Sequence, residues 1–157
     1  MRKFSLVLLL SVAVSGCATT VTPVATNEQF VRDLYAAFAR GDGGAVIDAF
    51  DPQIRWMEAE STEYSDRNPY IGPQAVAEGV FGRLMSEWDG FQVHPEEFIS
   101  EGNRVAVLGR YAAKYKATGR SLDAQFVHVW TVENGKATAF QQYADTAQLA
   151  RVMGMQP

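Results

Sequence analysis

The hydrophobic pattern of the chain changes near residue 90, from helical intervals before it to strand-like runs after it. Two longer helices are predicted in the first part by apolar residues that recur every three or four positions: Phe30, Val31, Leu34, Tyr35 and Phe38, then Val76, Val80, Phe81, Leu84 and Trp88. The spacing of Thr26 and Gln29 is that of a capping box, and Gly72-Pro73 precedes the later helix. A short helix over 45–50 and a strand over 54–58 are predicted between the two.

The second part of the chain contains four segments that are typical of strands: Phe91 to Ser100, Arg104 to Tyr115, Leu122 to Val132, and Ala137 to Tyr143. Short turns that contain glycine separate these segments, so each should pair antiparallel with the next. A last amphipathic helix is predicted over 146–153. Helices followed by an antiparallel meander indicate an α+β fold, with the helices packed on one face of the sheet.

A single histidine interrupts the apolar segment predicted as the third strand of the meander. Because side chains alternate between the two faces of a strand, Phe126, His128 and Trp130 share one face. The opposite face, with Val127 and Val129, is apolar as well, so we expect the strand to be covered on both sides. The imidazole of His128 is therefore either satisfied within the core or set in the wall of a cavity.

The N-terminus has the features of an export signal. Residues 1–3 are a cationic start, the apolar run over 6–14 is too short to span a bilayer, and small residues follow it. The segment over 14–17, VSGC, resembles the lipobox of bacterial lipoproteins, in which cleavage precedes the cysteine and that cysteine carries the lipid. An ordinary secretory signal with an incidental cysteine is the alternative.

The lipobox resemblance implies a division of the chain into three parts. These are a signal peptide over 1–16, a tether over 17–26 that begins at lipidated Cys17, and a domain over 27–157. Ala18 after the cysteine favours the outer membrane of the bacterial cell envelope. The expected location is therefore a lipoprotein of the outer membrane whose domain faces the periplasm, anchored to the membrane without crossing it.

The composition argues against several partners and chemistries. The chain of 157 residues carries a net charge of -4, and removal of the signal peptide makes the remainder more acidic, so no nucleic-acid partner is expected. With one cysteine and a second histidine, His94, in a predicted edge strand, we expect no metal site and no cofactor. No Gly-x-Ser-x-Gly segment supplies a nucleophile. The length corresponds to one domain that is large enough to enclose a pocket.

Four segments together resemble the nuclear-transport-factor-2-like (NTF2-like) superfamily, and within it the SnoaL-like and ketosteroid-isomerase-like branch. They are VRDLYAAFARGD over 31–42, NPYIGPQAV over 68–76, FVHVWTV over 126–132 and YADTA over 143–147. The resemblance covers 27–153. It implies an α+β cone in which a curved antiparallel sheet packs against three N-terminal helices around an apolar internal pocket. It also implies a homodimer built on the outer face of the sheet.

The resemblance places two residues of this chain at catalytic positions of the ketosteroid isomerases. Glu58 falls where these enzymes have their carboxylate base, and His128 falls where a protonated carboxylic acid binds the substrate oxyanion. The tyrosine that completes the oxyanion hole should come from the first helix, but the alignment puts Leu34 there, with Tyr35 one residue away. The related limonene-epoxide hydrolases use an Arg and two Asp at positions that hold other residues here, namely Phe126, His128 and Gln142.

Glu58 and His128 suit the removal of a proton next to a carbonyl group. In an apolar wall the charged form of Glu58 is disfavoured, which raises its pKa toward the working pH and makes it a usable base. A neutral His128 can donate a hydrogen bond to the carbonyl oxygen as the enolate forms. Two alternatives stay open: Glu58 holds His128 in a buried ion pair, or Glu58 points to solvent at the end of its strand.

A small hydrophobic ligand is the predicted partner of the pocket. Aromatic side chains and one amide are candidates to bind it: Tyr35, Trp56, Tyr70, Phe126, Trp130, Phe140 and Gln142. Each aromatic residue has the alternative of being plain core. Two functions are therefore kept: an isomerase- or cyclase-like enzyme acting on a small hydrophobic carbonyl compound, or a domain without turnover that captures an apolar ligand or docks on an envelope protein.

Overall fold

The computed structural model describes residues 26–155 of the chain. The predicted signal peptide and Cys17 lie outside the described residues, as does nearly all of the predicted tether. None of the helices between residues 26 and 155 has the length and apolar content that a membrane crossing requires.

Helix α1 (Asn27–Ala39) begins where the sequence predicts. The hydroxyl of Thr26 accepts a hydrogen bond from the backbone N–H of Gln29 at 3.1 Å, so the predicted N-cap is confirmed. The side chain of Gln29 does not return to the cap and instead donates to Asp33 at 2.9 Å. One face of the helix is buried against the sheet and carries Val31, Leu34, Tyr35 and Ala37.

Helix α2 (Gly43–Asp48) is short and is capped by the carboxylate of Asp42. It ends before Phe50, although the sequence predicted a helix over 45–50. The physical reason is that Phe50 already belongs to strand β1 (Phe50–Met57), where it pairs with Ala137 of the strand that comes last along the chain. Strand β1 is therefore longer at its start than predicted.

The connection after β1 contains a 3₁₀ turn (Glu63–Arg67) and a two-residue strand, β2 (Tyr70–Ile71), which pairs antiparallel with β1. The ring of Tyr70 packs directly on Gly79, where there is no room for a Cβ atom. This contact fixes the connection against the helical segment that follows it.

The helical segment over 73–87 is built from three pieces: α3 (Pro73–Val76), a π-helical turn (Ala77–Phe81) and α4 (Gly82–Glu87). A π-helical turn shifts the faces of a helix at one point and is common beside functional sites. The sequence predicted that Trp88 ends this helix, and this is wrong. Trp88 pairs with Tyr115 in the sheet and begins the next strand.

Six strands form one sheet in the order β2–β1–β6–β5–β4–β3. The long strands lie within three residues of their predicted bounds: β3 (Trp88–Glu101), β4 (Arg104–Tyr115), β5 (Ser121–Glu133) and β6 (Lys136–Ala144). These four pair antiparallel in chain order, but β1 pairs with β6 in parallel, so the sheet is mixed rather than fully antiparallel. The chain leaves β1 through helices and enters the sheet again at its opposite edge, in β3. No hairpin therefore joins β1 to β6, and their pairing can be parallel.

Register shifts in β3 and between β5 and β6 bend the sheet around the helices. The last helix, α5 (Thr146–Met153), has its predicted bounds and buries Leu149, Val152 and Met153. The chain is therefore an α+β domain in which N-terminal helices pack against a curved, mostly antiparallel sheet, and the predicted fold is confirmed.

The two faces of the sheet differ in burial. The inner face of β5 is buried along its length, whereas Val127 and Val129 on the outer face are only half-buried. Neighbouring strands continue this outer face with Tyr143, 59% exposed, and Ile99, 53% exposed. The expectation that the strand is covered on both sides is therefore wrong within residues 26–155, where these valines stay partly exposed.

Candidate functional site

A cavity of about 80 Å³ lies between the helices and the inner face of the sheet. Its wall is mostly aromatic and is formed by Tyr35, Phe38, Trp56, Tyr64, Phe81, Trp88, Phe91, Tyr111, Trp130 and Phe140. Three further side chains with an ionisable or amide group reach it: His128 and Gln142 from the sheet, and Glu58 directly after β1. All three are buried, so any chemistry in the cavity takes place in a medium with little water.

His128 stands at the centre of the cavity wall with both ring nitrogens occupied. Its Nδ1 is hydrogen-bonded to the hydroxyl of Tyr35 at 2.6 Å, and its Nε2 to the hydroxyl of Tyr111. The imidazole also stacks on Phe126, with 4.0 Å between ring centroids. Burial lowers the pKa of His128 to about 3, so the ring is neutral at physiological pH.

The two tyrosines are held in turn by donors from neighbouring strands. Trp130 Nε1 donates to the hydroxyl of Tyr35 at 3.1 Å, and Gln142 Nε2 donates to the hydroxyl of Tyr111 at 2.9 Å. We call the three linked residues Tyr35, His128 and Tyr111 the Tyr–His–Tyr chain. It crosses the cavity wall from α1 through β5 to β4, so its geometry depends on the packing of the whole domain.

Glu58 directly follows β1 and is 3% exposed. Trp56 Nε1 donates to Oε1 of its carboxyl group at 2.6 Å. Burial raises the pKa of Glu58 to about 7, against the opposing effects of hydrogen bonds from Trp56 and Gln142 and of the positive charge of Arg83. Neither alternative for Glu58 holds, because it does not point to solvent and its carboxyl makes no ion pair with the fully bonded His128.

Asn68 fixes the backbone of Glu58 from the connection that follows β1. Its side-chain oxygen accepts from the N–H of Glu58 at 2.9 Å, and its amide donates to the C=O of Glu58 at 2.8 Å. The amide thus pairs with the backbone as a neighbouring strand would. This pairing holds the carboxyl at the cavity even though β1 ends one residue earlier.

Tyr64 forms part of the cavity wall. Its hydroxyl accepts from Trp88 Nε1 at 2.8 Å and donates to Glu87 at 2.6 Å. Arg83 bonds to Glu87 and to Asp66, and lies over the ring of Tyr64 with 4.7 Å to its centroid. These contacts tie the connection after β1 to α4.

An apolar groove of about 320 Å³ adjoins the cavity at the surface. Five side chains form part of both walls: Phe38, Phe81, Leu84, Trp88 and Phe91. The outer rim of the groove includes Met85, which is 79% exposed. The cavity and the groove therefore share part of their walls.

The model of the SnoaL-like domain family matches residues 31–140. That range includes both Glu58 and the whole Tyr–His–Tyr chain. This protein belongs to the SnoaL-like family.

Solved structures agree with this assignment. An NTF2-like protein from Burkholderia thailandensis is 34% identical, with a TM-score of 0.79 over 85% of this chain and 100% of its own. TerC, co-crystallised with polyporic acid, is 26% identical, with a TM-score of 0.73 over 82% and 98% of the two chains. A protein with a ketosteroid-isomerase-like fold from Catenulispora acidiphila, in complex with trimethylamine, is 14% identical, with a TM-score of 0.69 over 83% and 97%. Curated proteins give no match.

Most residues predicted for the site lie together in this SnoaL-like domain. The cavity wall contains Tyr35, Trp56, Glu58, Trp130, His128, Phe140 and Gln142. Tyr70 and Phe126 are not part of the wall. The Tyr70 hydroxyl bonds to Tyr64 and Asp66, and Phe126 packs behind His128 against Gly109. Between residues 26 and 155, no three acidic, histidine or cysteine side chains are grouped to hold a metal ion.

The alignment of the first helix needs one correction. Leu34 and Tyr35 both line the cavity, but it is Tyr35 whose hydroxyl reaches His128. A tyrosine hydroxyl from α1 therefore reaches the cavity, one residue after the aligned position. His128 differs from the expectation in another way, because neither of its nitrogens is free to donate to a ligand.

Sequence analysis missed Tyr111, Asn68 and Tyr64. Tyr111 lies at the same alternate positions of β4 as Val105 and Val107, which places it on the inner face. The two-residue period of this strand could therefore have predicted it. Asn68 and Tyr64 lie in an irregular connection, where no periodicity indicates which side chains point inward.

Proposed function

We propose that this SnoaL-like domain removes a proton next to the carbonyl group of a small hydrophobic molecule, in an isomerase- or cyclase-type reaction. The observation that carries the proposal is the buried carboxyl of Glu58, with a pKa of about 7, in the same cavity as the Tyr–His–Tyr chain. An acid with this pKa is partly ionised at neutral pH and can both take up and return a proton.

Glu58 has the role of the base in this proposal. It would remove a proton from the carbon next to the carbonyl and return it elsewhere on the same molecule. The negative charge that develops on the carbonyl oxygen would be stabilised by a hydroxyl of the Tyr–His–Tyr chain. Such a donor is most effective where water is excluded, as in this aromatic cavity.

The size of the cavity bears on the ligand. Ligand pockets commonly measure roughly 300–1,000 Å³, so a cavity of about 80 Å³ accepts only the reactive end of a larger molecule. The remaining apolar part would lie in the adjoining groove of about 320 Å³. The complexes of TerC with polyporic acid and of the Catenulispora protein with trimethylamine support small-molecule binding in this fold.

Cyclohex-3-en-1-one is a suitable probe for the reaction. Removal of a proton next to its carbonyl, followed by protonation at the γ carbon, gives conjugated cyclohex-2-en-1-one, which is followed by ultraviolet absorbance. We expect the protein to accelerate this conversion and Glu58→Gln to slow it about 10²- to 10⁴-fold. Glu60→Gln, at an exposed position two residues away, is the matched control. If Glu58→Gln converts the probe as fast as the unchanged protein, Glu58 is not the base.

Ligand capture without turnover is the second candidate. It is supported by the satisfied state of the cavity, since no buried polar side-chain atom within residues 26–155 lacks a hydrogen-bond partner. Calorimetric binding of cyclohex-2-en-1-one, combined with no acceleration of the isomerisation by the unchanged protein, would favour capture over catalysis.

We further propose that the domain is anchored through lipid on Cys17 at the outer membrane. The proposal is supported by the VSGC segment and the apolar run before it. Labelling with a radioactive fatty acid should mark the unchanged protein and not Cys17→Ser, and membrane fractionation should place the label in the outer membrane. Equal labelling of both proteins would exclude this anchor.

A homodimer on the outer face of the sheet is proposed as well. It is supported by the half-buried Val127 and Val129 beside the exposed Tyr143. A charged residue at the centre of such an interface is costly. Sedimentation should therefore give a dimer for the unchanged protein and a monomer for Val129→Glu, whereas a monomer in both cases leaves this face for an envelope partner.

A further inference from the structure

The Tyr–His–Tyr chain contains one hydrogen more than its own hydrogen bonds use. Tyr35, neutral His128 and Tyr111 each carry one hydrogen on the atoms that face one another. The two links between them, at Nδ1 and at Nε2, consume one hydrogen each. Trp130 and Gln142 only donate into the ends of the chain and bring their own hydrogens. One hydroxyl hydrogen is therefore left over.

Two arrangements of the hydrogens satisfy both links. In the first, the hydroxyl of Tyr35 donates to Nδ1 and the Nε2–H of His128 donates to Tyr111, which leaves the hydrogen of Tyr111 free. In the second, Nδ1–H donates to Tyr35 and Tyr111 donates to Nε2, which leaves the hydrogen of Tyr35 free. The tautomer of His128 thus decides which tyrosine has a hydrogen to offer to the cavity.

The position of Glu58 distinguishes the two arrangements. The Gln142 side chain that donates to Tyr111 also accepts from the backbone N–H of Ala59, so the Tyr111 hydroxyl lies on the Glu58 side of the cavity. Burial raises the pKa of Tyr111, and the charges of Glu58, which follows β1, and of Tyr35 on α1 raise it further. No such effect of Glu58 is resolved for Tyr35. A negative charge near Tyr111 attracts its free hydroxyl hydrogen and favours the first arrangement.

We propose that Tyr111 is the hydrogen-bond donor to the carbonyl oxygen of the ligand, and that His128, held as the Nε2–H tautomer by Tyr35, is the positioning residue behind it. Tyr111 then receives two hydrogen bonds, from His128 and Gln142, while it donates one. Hydrogen bonds in such a chain polarise one another, which strengthens the bond that Tyr111 makes to a developing negative charge. The donor and the base Glu58 lie on the same side of the cavity.

This assignment differs from what the family resemblance implies for the helix tyrosine. Tyr35 is occupied by His128 in the first arrangement and has no hydrogen left for a ligand. Its role is to fix the tautomer. The tautomer assignment is independent of any reaction, whereas the role of Tyr111 as donor rests on the proposed proton-transfer function.

The tautomer is measured directly by nuclear magnetic resonance of protein labelled with ¹⁵N-histidine. The chain has two histidines, and exposed His94 serves as the internal reference. At pH 8 we expect His128 as the Nε2–H tautomer, with a smaller fraction of this tautomer in Glu58→Gln. The Nδ1–H tautomer in the unchanged protein, or no change in Glu58→Gln, would overturn the assignment.

The donor is tested by the conversion of cyclohex-3-en-1-one. We expect Tyr111→Phe to lower kcat about 10²- to 10³-fold, the typical loss of one such donor. Tyr35→Phe should lower kcat about tenfold or less. It should also weaken the preference of His128 for the Nε2–H tautomer. Tyr143→Phe, at an exposed position, is the control. A larger loss in Tyr35→Phe than in Tyr111→Phe would make Tyr35 the donor.

The two proposals fail in different ways. If the unchanged protein does not convert the probe, the proposed function fails and the tautomer result stands by its own measurement. If the protein converts the probe with His128 as the Nδ1–H tautomer, the proposed function stands and the assignment of Tyr111 fails.

Discussion

Glu58 and His128 are buried in the same cavity, yet burial moves their pKa values in opposite directions. It raises the pKa of Glu58 from 4.5 to about 7, and it lowers the pKa of His128 from 6.5 to about 3. In both cases burial disfavours the charged form. The charged form of Glu58 is the deprotonated carboxylate, whereas the charged form of His128 is the protonated imidazolium. The group that titrates near neutral pH is therefore the carboxyl and not the histidine.

The partners of the two groups fit this division. His128 is bonded to two neutral hydroxyls, which suit an uncharged ring with one donor and one acceptor. Glu58 accepts a hydrogen bond from Trp56, which offsets its desolvation only in part. Neither residue forms a salt bridge with another group between residues 26 and 155. In the proposed reaction, Glu58 is therefore the group that exchanges the proton, and His128 arranges hydrogen bonds.

The largest expected effect is the contribution of His128 to unfolding in acid. The unfolded chain takes up a proton on this residue near pH 6.5, whereas the folded protein does so only near pH 3. The free energy of unfolding should therefore fall by about 5 kcal/mol from this group as the pH decreases through that range. Urea denaturation at several pH values measures the dependence, which His128→Gln should lose and His94→Gln should keep. Equal pH dependence in the unchanged protein and His128→Gln would contradict a buried neutral ring.

Glu58 should change the free energy of unfolding with pH in the opposite direction to His128. Between pH 4.5 and about 7 the folded protein holds a proton on Glu58 that the unfolded chain has lost, so stability decreases as the pH rises. The decrease amounts to about 3 kcal/mol and is complete above pH 7. Glu58→Gln retains the shape of the protonated carboxyl and should be more stable than the unchanged protein by about this amount at pH 8. At pH 4 the two should be equally stable, and Glu60→Gln should show no such difference.

The same carboxyl should set the pH dependence of turnover. A base acts in its deprotonated form, so kcat/KM for cyclohex-3-en-1-one should rise with pH through about 7. Together with the stability of Glu58→Gln, this profile separates a base from a carboxyl that is merely buried. A rate that is independent of pH between 6 and 8 would remove Glu58 from the mechanism while leaving its effect on stability intact.

The sequence predicted the parts of the site that follow from periodicity. Alternation in β5 placed His128 and Trp130 on one face of the strand, and both line the cavity, as do the candidates Trp56 and Glu58. The same rule applied to β4 would have found Tyr111. Periodicity gives the face on which a side chain lies, but it does not give the atom that the side chain meets. The role of His128 changed for this reason, since its two tyrosine partners come from α1 and β4.

Other features depend on contacts between distant segments and have no local signal. Strand β1 pairs in parallel with β6, although nothing in either strand indicates this direction. Asn68 binds the backbone of Glu58 across ten positions in an irregular connection. Trp88 continues the helical pattern of α4 and yet begins β3, because pairing with Tyr115 outweighs its helical spacing.

Asn68→Ala tests whether the carboxyl of Glu58 needs its backbone support. The substitution removes two hydrogen bonds, at 2.9 and 2.8 Å, and should lower the free energy of unfolding by about 2 kcal/mol. It should also lower kcat for the probe, because Glu58 is no longer held at the cavity. Asn27→Ala removes a single exposed bond to the C=O of Gly102 and should change neither quantity appreciably. If turnover is unchanged in Asn68→Ala, the aromatic wall alone positions Glu58.

The smallest expected effect concerns Arg83, whose positive charge lowers the pKa of Glu58 without contacting it. Arg83→Gln should therefore move the midpoint of the pH dependence of kcat/KM upward, since the ionised carboxyl loses a favourable charge. Arg110→Gln breaks a comparable ion pair, with Asp123, without removing a charge that acts on Glu58, and should leave the midpoint in place. A midpoint that falls or stays constant in Arg83→Gln would mean that burial and the hydrogen bond from Trp56 account for the pKa of Glu58 without this charge.

Because Arg83 also bonds to Asp66 and Glu87, unfolding in urea is measured beside the rates. A loss of stability with an unchanged midpoint would assign Arg83 to closing the cavity alone.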